Sequence, residues 1–556
     1  MTRTPTPRPR HAERGIALVS AVLVVLLCSI LVATFMTTTT GERAMSSNVQ
    51  IAKASLYAAD AGIRTQQQVF ANLAFTKMDS CVNNWNGSGM VISNPANLFP
   101  AGTFSVTSTN PPFTANGTIT YTDTTFTPGA QAYDYRFTIQ SQGTVGSAGI
   151  RRVQAAGSLR VSAQRGSFAD YLMFMGHHTT ASGSNIWFTS STTFDGRVHA
   201  NDIMHFAFKP TFYDAVSTTS ANAMFNNNGS PRTLAANNNG TIDVPNFLNG
   251  FYRGQPNVPM PTNNFDQQAA ALGIPPSGSA PTNNTINSWL TAGASSSGST
   301  PANGIYIPRN PSTGQVSGGI YVQGDLSTCK MWADTVANRQ WLQLSQGGTV
   351  RTILIDRANN QTKVWNSSST AGSPTDTWTG YPNDFVLYVT GGINDLRGPD
   401  RTGGIVPPAI AENTKMTIST TNDIIIQRDI TCDSYNANTN VLGMFTTNGK
   451  IRIGSGAPND MNLDAYVMAA HASNGEFVVD NYGSGSPRGM FHLRGGIVEQ
   501  YYGGFFTFNS TTGALLTGYG RDYHYDKRGL IPPYYPQTTR FNANMPTAHT
   551  LSWKEI

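Results

Sequence analysis

The chain has 556 residues and a mass of 59.7 kDa, enough for roughly three or four domains or one large repetitive domain. Charged residues make up 12%, about half the usual ~25%, while Gly, Asn, Ser and Thr are abundant. The net charge of +5 is concentrated in residues 1–15, where four arginines stand against one glutamate. This composition excludes a charge-rich disordered chain and a globally cationic nucleic-acid binder. It indicates a β-rich, turn-rich protein outside the cytoplasm.

The N-terminus combines a basic tail with a long apolar run. Residues 1–15 are basic and rich in proline, and residues 16–36 contain no charged side chain. At ~1.5 Å per residue, a helix over that run is about 31 Å long and matches a ~30 Å hydrocarbon core. The basic residues before the run place the N-terminus on the cytoplasmic side of a membrane.

Beyond the apolar run, hydrophobic residues recur every three or four positions, which is the spacing of one helix face. The sequence therefore predicts a single helix over residues 16–73, first apolar all round and then amphipathic. The residues of that face are Met45, Val49, Ala52, Leu56, Ala59, Ile63 and Phe70.

These features resemble the type IV pilin family, and the N-terminus is most similar to PilX-type minor pilins. The resemblance rests on Arg14–Gly15, on Ile16–Val19 with the uncharged run, and on Leu56–Arg64. It implies a prepilin leader (1–15), cleavage after Gly15 by a prepilin peptidase, and N-methylation of Ile16. The implied partners are other pilins and an inner-membrane assembly platform. The alternative from the residues alone is a plain membrane anchor with a coiled stalk.

One position departs from the family pattern. Most pilins carry Glu at the fifth mature position, which here is Ser20. The family's Glu is thought to pair with the terminal amine of the subunit ahead, because a buried carboxylate is costly unless paired. A subunit without it is suited to the tip of a filament, as is a large C-terminal body. The alternative is that Ser20 is a tolerated exception.

After the helix, the sequence predicts an α+β pilin module that carries a mainly-β head. Residues 74–165 are assigned to a small antiparallel pilin sheet, and residues 166–556 to the head. Short apolar runs bounded by Gly or Asn recur through the head and are typical of a β-solenoid. A loop-rich segment, 217–317, interrupts them. Because the period is irregular, a β-sandwich head remains the alternative.

This organisation resembles that of the large ComZ-type competence pilins, which join a β-solenoid to a pilin domain. The resemblance implies natural transformation, with capture of extracellular DNA at a pilus tip on the cell surface. Cations and tyrosines near the C-terminus could track phosphates and stack on bases. Alternatively, the tyrosines pack the end of the head and the charges keep it soluble. The candidate ligand residues are Arg488, Arg494, Arg521, Tyr523, Tyr525, Lys527, Arg528 and Arg540.

Two other function classes are open. One is a pilus-tip adhesin for glycans or surfaces, and the other is a membrane-anchored enzyme acting on polysaccharides. The sequence contains no nucleotide-binding, calcium-loop or hydrolase motif, so we expect no catalytic residue, no metal and no cofactor. Spacing does not show whether any of Cys81, Cys329 and Cys432 form a disulfide.

Overall fold

The computed structural model describes residues 12–83, 102–121, 130–146, 149–190, 192–227, 230–234, 243–382, 384–434, 439–509, 514–543 and 547–556. The chain forms two compact units. The first unit contains Met1–Arg165 together with Arg540–Ile556, and the second contains Gly166–Thr539. The second unit is therefore an insertion between two parts of the first. The sequence assigned residues 540–556 to the head, and this assignment was wrong because these residues return to the first unit.

The first element is the long helix α1 (Ala12–Asn83), so the predicted long N-terminal helix is confirmed. Its apolar first part is exposed along the whole surface, from Ile16 (72% exposed) to Phe35 (71%). The four threonines that follow donate their hydroxyls to carbonyls one turn earlier, as in the Thr39 Oγ1–Phe35 O bond of 2.6 Å. These bonds accommodate a β-branched run within the helix.

The later turns of α1 pack on an antiparallel sheet. Its strands run in the order β1 (Gly102–Thr109), β2 (Pro112–Tyr121), β3 (Ala130–Val145) and β4 (Gly149–Ser167). Ala59, Ile63 and Phe70 of the helix join a core with Phe137 and Leu159 of the sheet. The predicted amphipathic stripe contributes its buried residues to this core.

A glycine of β3 lets the helix lie close to the sheet. A Cβ at Gly143 would lie 2.0 Å from the carbonyl oxygen of Ser55 and 2.4 Å from the amide nitrogen of Ala59. Any side chain there would collide with helix backbone, which cannot move aside as a flexible side chain can. Gly143 lies within β3, whose pairing with β4 continues to Val145 opposite Gly149.

The second unit begins with a short 3-10 turn (Phe168–Asp170) and continues into three sheets, namely one end of a 13-stranded sheet and two separate three-stranded sheets. Successive strands belong to the three sheets in turn, so residues at the same position of successive turns lie next to each other. The strands are β5 (Met173–His177), β6 (Thr193–Phe194), β7 (Val198–Ala200), β8 (Met204–Phe206), β9 (Thr211–Phe212), β10 (Val216–Thr218), β11 (Ala223–Asn227), β12 (Ser230–Leu234), β13 (Asn246–Phe247) and β14 (Phe251–Tyr252). Among these described strands, β12 alone pairs antiparallel, as a hairpin with β11.

The chain then passes through two helices, α2 (Phe265–Leu272) and α3 (Asn283–Leu290). The predicted loop-rich segment 217–317 thus contains both short strands and helices. Ala271 and Leu272 of α2 pack against Tyr321, Val386 and Tyr388 of the strands that follow. The segment therefore covers part of the sheet surface.

Next comes an antiparallel hairpin series. Its members are β15 (Gly304–Tyr306), β16 (Ile320–Gln323), β17 (Thr328–Asp334), β18 (Arg339–Gln346), β19 (Thr349–Asp356), β20 (Gln361–Trp365) and β21 (Asp376–Thr379). Within it, β15 pairs with β16, and β17 to β21 pair in sequence order.

From β22 onward the chain alternates between two parallel sheets with each successive strand. One sheet takes β22 (Asp384–Val389), β24 (Lys415–Thr420), β26 (Val441–Thr446), β28 (Met461–Ala469) and β30 (Pro487–Tyr501). The other takes β23 (Ile393–Arg397), β25 (Ile424–Ile426), β27 (Ile451–Ile453) and β29 (Phe477–Val479). The strands β31 (Phe506–Phe508) and β32 (Leu515–Tyr525) follow.

Strand β30 joins the beginning of the second unit to its end. One edge pairs with β28, and the other pairs with β32 along residues 487–495 and with β5 along residues 497–501. The amide nitrogen of Phe168 also donates to the carbonyl of Pro536 at 3.3 Å. The chain therefore enters and leaves the unit at neighbouring points.

The last two strands are β33 (Gln537–Ala543) and β34 (Thr547–Glu555), and both pair with β4. In β34, Ala548 lies opposite Leu159 and packs against the core of the first unit. Arg151 of β4 also forms an ion pair of 3.0 Å with Glu555.

The interior of the second unit is continuous and apolar, with aromatic rings stacked between neighbouring turns of chain. Phe194, Phe212 and Phe247 lie at matching positions of β6, β9 and β13, with ring centroids 4.7 and 5.4 Å apart. Offset stacking of this kind adds roughly 0.5–1.5 kcal/mol per pair beyond the burial of area. Parallel, in-register pairing is what brings the rings together.

A polar cluster is buried beside the junction of β5 and β30. The Oε2 atom of Glu499 accepts hydrogen bonds from the amides of Phe477 (3.0 Å) and Gly503 (2.9 Å). Burial raises the pKa of Glu499 to about 8, although the two amides and Arg521 lower it. Nearby, the Nδ1 atom of His178 accepts from the amide of His205 at 3.0 Å, and burial lowers the pKa of His178 well below its ordinary value.

We expect Glu499→Gln to flatten the pH dependence of stability above pH ~4.5. The folded chain keeps a proton on Glu499 up to about pH 8 that the unfolded chain releases near its ordinary pKa. The free energy of unfolding should therefore fall as pH rises through this window, by up to about 1.4 kcal/mol per unit. Chemical denaturation of the full chain in detergent at a series of pH values measures this slope.

Glu499→Gln keeps an acceptor oxygen for both amides, so it tests the charge and not the hydrogen bonds. Glu499→Asp, which retains a carboxyl group, is the control and should keep a slope. An identical slope in the wild type and in Glu499→Gln would contradict the assignment.

Candidate pilin segment and receptor surface

The N-terminal segment presents an uninterrupted apolar surface. From Ile16 to Gly41 the sequence contains no charged residue, and Glu42 is the first. Among the described residues, one helix is long and apolar enough to cross a membrane, and it lies over residues 16–73. Gly15 lies in the first turn of α1, and Ser20 is exposed on the helix surface. The surface around Ser20 is suited to lipid or to other apolar helices.

The candidate ligand residues do not form one surface. Arg494 and Lys527 have exposed side chains (44% and 68%), whereas Tyr523 and Arg521 are buried (2% and 9%). Arg540 lies in β33, and its side chain is outside the described residues. Successive residues of β30 and β32 point alternately to the inside and the outside of the second unit. Residues that are close in the sequence therefore do not share one surface.

Arg521 belongs to the buried polar cluster. Its guanidinium lies over the rings of Tyr502 (4.7 Å), Phe506 (5.1 Å) and Phe505 (5.3 Å). Tyr523 lies beside it, and burial raises the pKa of that phenol well above its ordinary value. Arg521 and Tyr523 are therefore internal packing residues, and a ligand on the surface does not reach them.

Arg528 and Tyr525 are also occupied by internal contacts. Arg528 forms an ion pair with Asp526 at 2.7 Å, with only 7% and 4% of the two side chains exposed. The hydroxyl of Tyr525 donates to the carbonyl of Ala169 at 3.1 Å, within the same unit. For these two residues the structure favours the packing alternative.

Arg488 lies at the wall of a shallow polar groove of about 300 Å³. Its guanidinium stacks over Tyr519 at 4.5 Å and donates to the carbonyl of Ala457. The groove is also lined by Asp480, whose carboxylate is held by Arg452 at 2.8 Å. The groove is therefore lined mainly by hydroxyl, amide and backbone groups, and its charged side chains contact other groups of the protein.

Each of the two exposed cations lies next to an acidic side chain from another part of the second unit. Arg494 Nη1 lies 3.8 Å from Asp464, and Lys527 Nζ lies 3.4 Å from Asp195. His524 bridges the same region, 3.1 Å from Asp522 and 3.4 Å from Asp195. The outer edge of β28, β30 and β32 thus alternates in charge across strands.

Three cysteine side chains are described, and the side chain of Cys81 lies outside the described residues. Cys28, Cys329 and Cys432 are free thiols, and burial raises the pKa of both Cys329 and Cys432. Among the described residues, no group of three His, Cys, Asp or Glu side chains is arranged to hold a metal ion.

Two family models match parts of the chain. The PilX N-terminal family matches residues 14–64, and a domain of unknown function (DUF4900) matches residues 132–221. The second match runs from β3 through β10, across the point where the inserted unit begins. No curated protein matches the chain.

One solved structure that aligns with the chain is the competence-associated pilin ComZ from Thermus thermophilus. The sequences are 13% identical, the alignment covers 91% of this chain and 98% of that one, and the TM-score is 0.28. A score this low does not establish a shared fold, so the architecture of the second unit depends on its own strand pairing.

The match over residues 14–64 coincides with the exposed apolar helix and the stripe that packs on the first sheet. The resemblance seen in the sequence is thereby confirmed, and the N-terminal part of this chain is that of a membrane-anchored, PilX-type minor pilin of the type IV family.

Proposed function

We propose that this chain is a minor pilin at the tip of a type IV filament, where its second unit serves as a receptor. In this proposal the second unit is a β-solenoid wound in two parts that meet at β30. The parallel, in-register pairing from β22 to β30 and from β5 to β14 supports it. The role is binding and assembly, without catalysis.

The observation that carries the tip position is Ser20. It lies on an apolar helix surface where the family places a carboxylate that pairs with the subunit ahead. A subunit that begins the filament has no subunit ahead, so the carboxylate would stay unpaired in an apolar environment. The insertion of residues 166–539 also favours a terminal position, since neighbouring subunits along a filament leave little space for it.

Gly15 and Ile16 are proposed as the two sides of the processing site. We expect Gly15→Leu to leave a membrane-held precursor, because prepilin cleavage requires a small residue before the scissile bond. Immunoblotting of membranes and of sheared filaments distinguishes the two forms. Ala17→Leu, one residue beyond the site, is the control and should be processed. Normal cleavage of Gly15→Leu would remove this assignment.

We expect Ser20→Glu to be depleted from filaments while it accumulates in the membrane. The new carboxylate would lack a partner at the tip, at a cost of several kcal/mol in an apolar surrounding. Immunogold counting along purified filaments measures both abundance and position. Ser20→Ala is the control and should assemble normally. If Ser20→Glu is found along the whole filament length, the tip position is wrong.

For the ligand we propose extracellular DNA, as the resemblance to competence pilins implies. Of the candidate residues, Arg494 of β30 and Lys527, two residues after the end of β32, remain as exposed cations of the second unit. Their neighbouring acids limit their attraction for phosphate, so the expected contact is modest and sensitive to salt.

We expect the double variant Arg494→Gln, Lys527→Gln to reduce the slope of log K against log salt by about 2, because two phosphate contacts are lost. Fluorescence anisotropy with labelled duplex DNA and the detergent-solubilised full chain measures this slope. Lys209→Gln with Arg309→Gln removes the same charge elsewhere and should leave the slope unchanged. Equal slopes in both variants would show that Arg494 and Lys527 do not contact DNA. Absence of DNA binding at low salt would show that DNA is not the ligand.

A further inference from the structure

The hairpin series β17–β21 extends one sheet of the second unit beyond its parallel part. The sheet runs in the order β21, β20, β19, β18, β17, β23, β25, β27 and β29. On the inner face of the extension, Met331, Leu342 and Ile353 belong to the main core and are fully buried. The inner face therefore supplies the packing that this part of the sheet needs.

The outer face carries a row of aromatic side chains. Trp332 lies directly opposite Trp341, and their rings stack with centroids 5.6 Å apart and an interplanar angle of 5°. Trp365 continues the row at 5.5 Å from Trp341. Three of the eight tryptophans of the chain thus lie together on one face.

The row is partly exposed at one end. Trp365 is nearly buried (9% exposed), whereas Trp332 and Trp341 are only partly buried. Among the described residues, no further aromatic ring packs on Trp332 from its other side. A contiguous, partly exposed row of aromatic rings differs from a single exposed hydrophobic residue, and such patches mark interaction sites.

The loop after β20 holds the row in place. The indole nitrogen of Trp365 donates to the carbonyl of Gly372 at 2.8 Å, and Gln343 donates to the carbonyl of Ser368 at 3.2 Å. These contacts and the four antiparallel strands fix the rings before any ligand arrives, which lowers the entropy cost of binding.

The charges beside the row do not suit a polyanion. Asp356 is fully buried and lies 2.9 Å from the Nζ atom of Lys363 and 3.5 Å from the Nε atom of Arg339. With Lys330 and Asp334, this face carries three cations and two carboxylates, a net of +1. A strand of nucleic acid carries one charge per nucleotide and would find few cations free to neutralise it.

The same groups suit hydroxyl-rich, uncharged chains. Pyranose rings present apolar C–H faces that stack on indole rings, and their hydroxyls accept from ammonium and guanidinium groups and donate to carboxylates. Lys363 and Arg339 keep further N–H donors beyond those directed at Asp356. Asp334, on β17 opposite Arg339, adds an acceptor.

We propose that this outer face, formed by Trp332, Trp341, Asp334, Arg339, Gln343 and Lys363, binds a neutral polysaccharide, with a sugar ring stacked on the side of Trp332 that faces away from Trp341. The site is separate from the proposed DNA surface around Arg494 and Lys527. Its failure would leave the pilin assignment and the DNA proposal untouched.

The test uses the full chain in detergent, with insoluble cellulose and chitin as probes. We expect the wild type to be retained on at least one of them, and retention should not change when the salt concentration is raised about tenfold. The double variant Trp332→Ala, Trp341→Ala should lose about tenfold in affinity. Trp553→Ala removes a tryptophan that is 45% exposed in the first unit and is the matched control. It should bind as the wild type does.

A single variant controls for the possibility that the double variant unfolds. Trp332→Ala alone removes only the terminal ring of the row, and its thermal unfolding should match that of the wild type while retention falls. Unchanged retention of Trp332→Ala, Trp341→Ala would overturn the proposal, as would no retention on either probe. Competition by single-stranded DNA but not by soluble chito- or cello-oligosaccharides would also overturn it and would indicate base stacking instead.

Discussion

The pairing of β30 with both β5 and β32 is the constraint on which the second unit depends. Parallel strands are joined by crossover connections and not by tight turns. When each crossover adds the next strand on the same side, the first and last strands lie at opposite ends of the sheet. Here the chain starts beside β30, builds one set of strands away from it, passes through α2 and α3, and returns through β16 and β22 to β28. The first and last strands therefore share one edge of β30.

This arrangement explains how so large a body can be inserted into a small sheet. The amide of Phe168 bonds to the carbonyl of Pro536, so the entering and leaving strands are neighbours within the second unit. In the first unit, β4 pairs with β3 and with the returning strands β33 and β34. The insertion interrupts the sequence without interrupting the sheet.

Parallel stacking also determines which side chains face outward and how their charges are paired. Inward residues repeat from one turn to the next and fill the core, while outward charges pair with acids on neighbouring strands, as Arg452 does with Asp480 and Asp423. The tryptophan face lies on the hairpin series, where the chain departs from the regular stack, and this is where loops and insertions most often carry function.

By itself, the sequence determined the features that depend on local order along the chain. The uncharged run from Ile16 and the stripe ending at Phe70 predicted one long helix, because spacing along a helix sets which residues share a face. Short apolar runs predicted a mainly-β second unit.

Only the tertiary structure decided which side chains are exposed. Arg521 and Tyr523 are internal although Arg494 on the adjacent strand is exposed, because register between distant strands sets which face each residue takes. Strand pairing also returned residues 540–556 to the first unit, since pairing over a long sequence separation leaves no local signal.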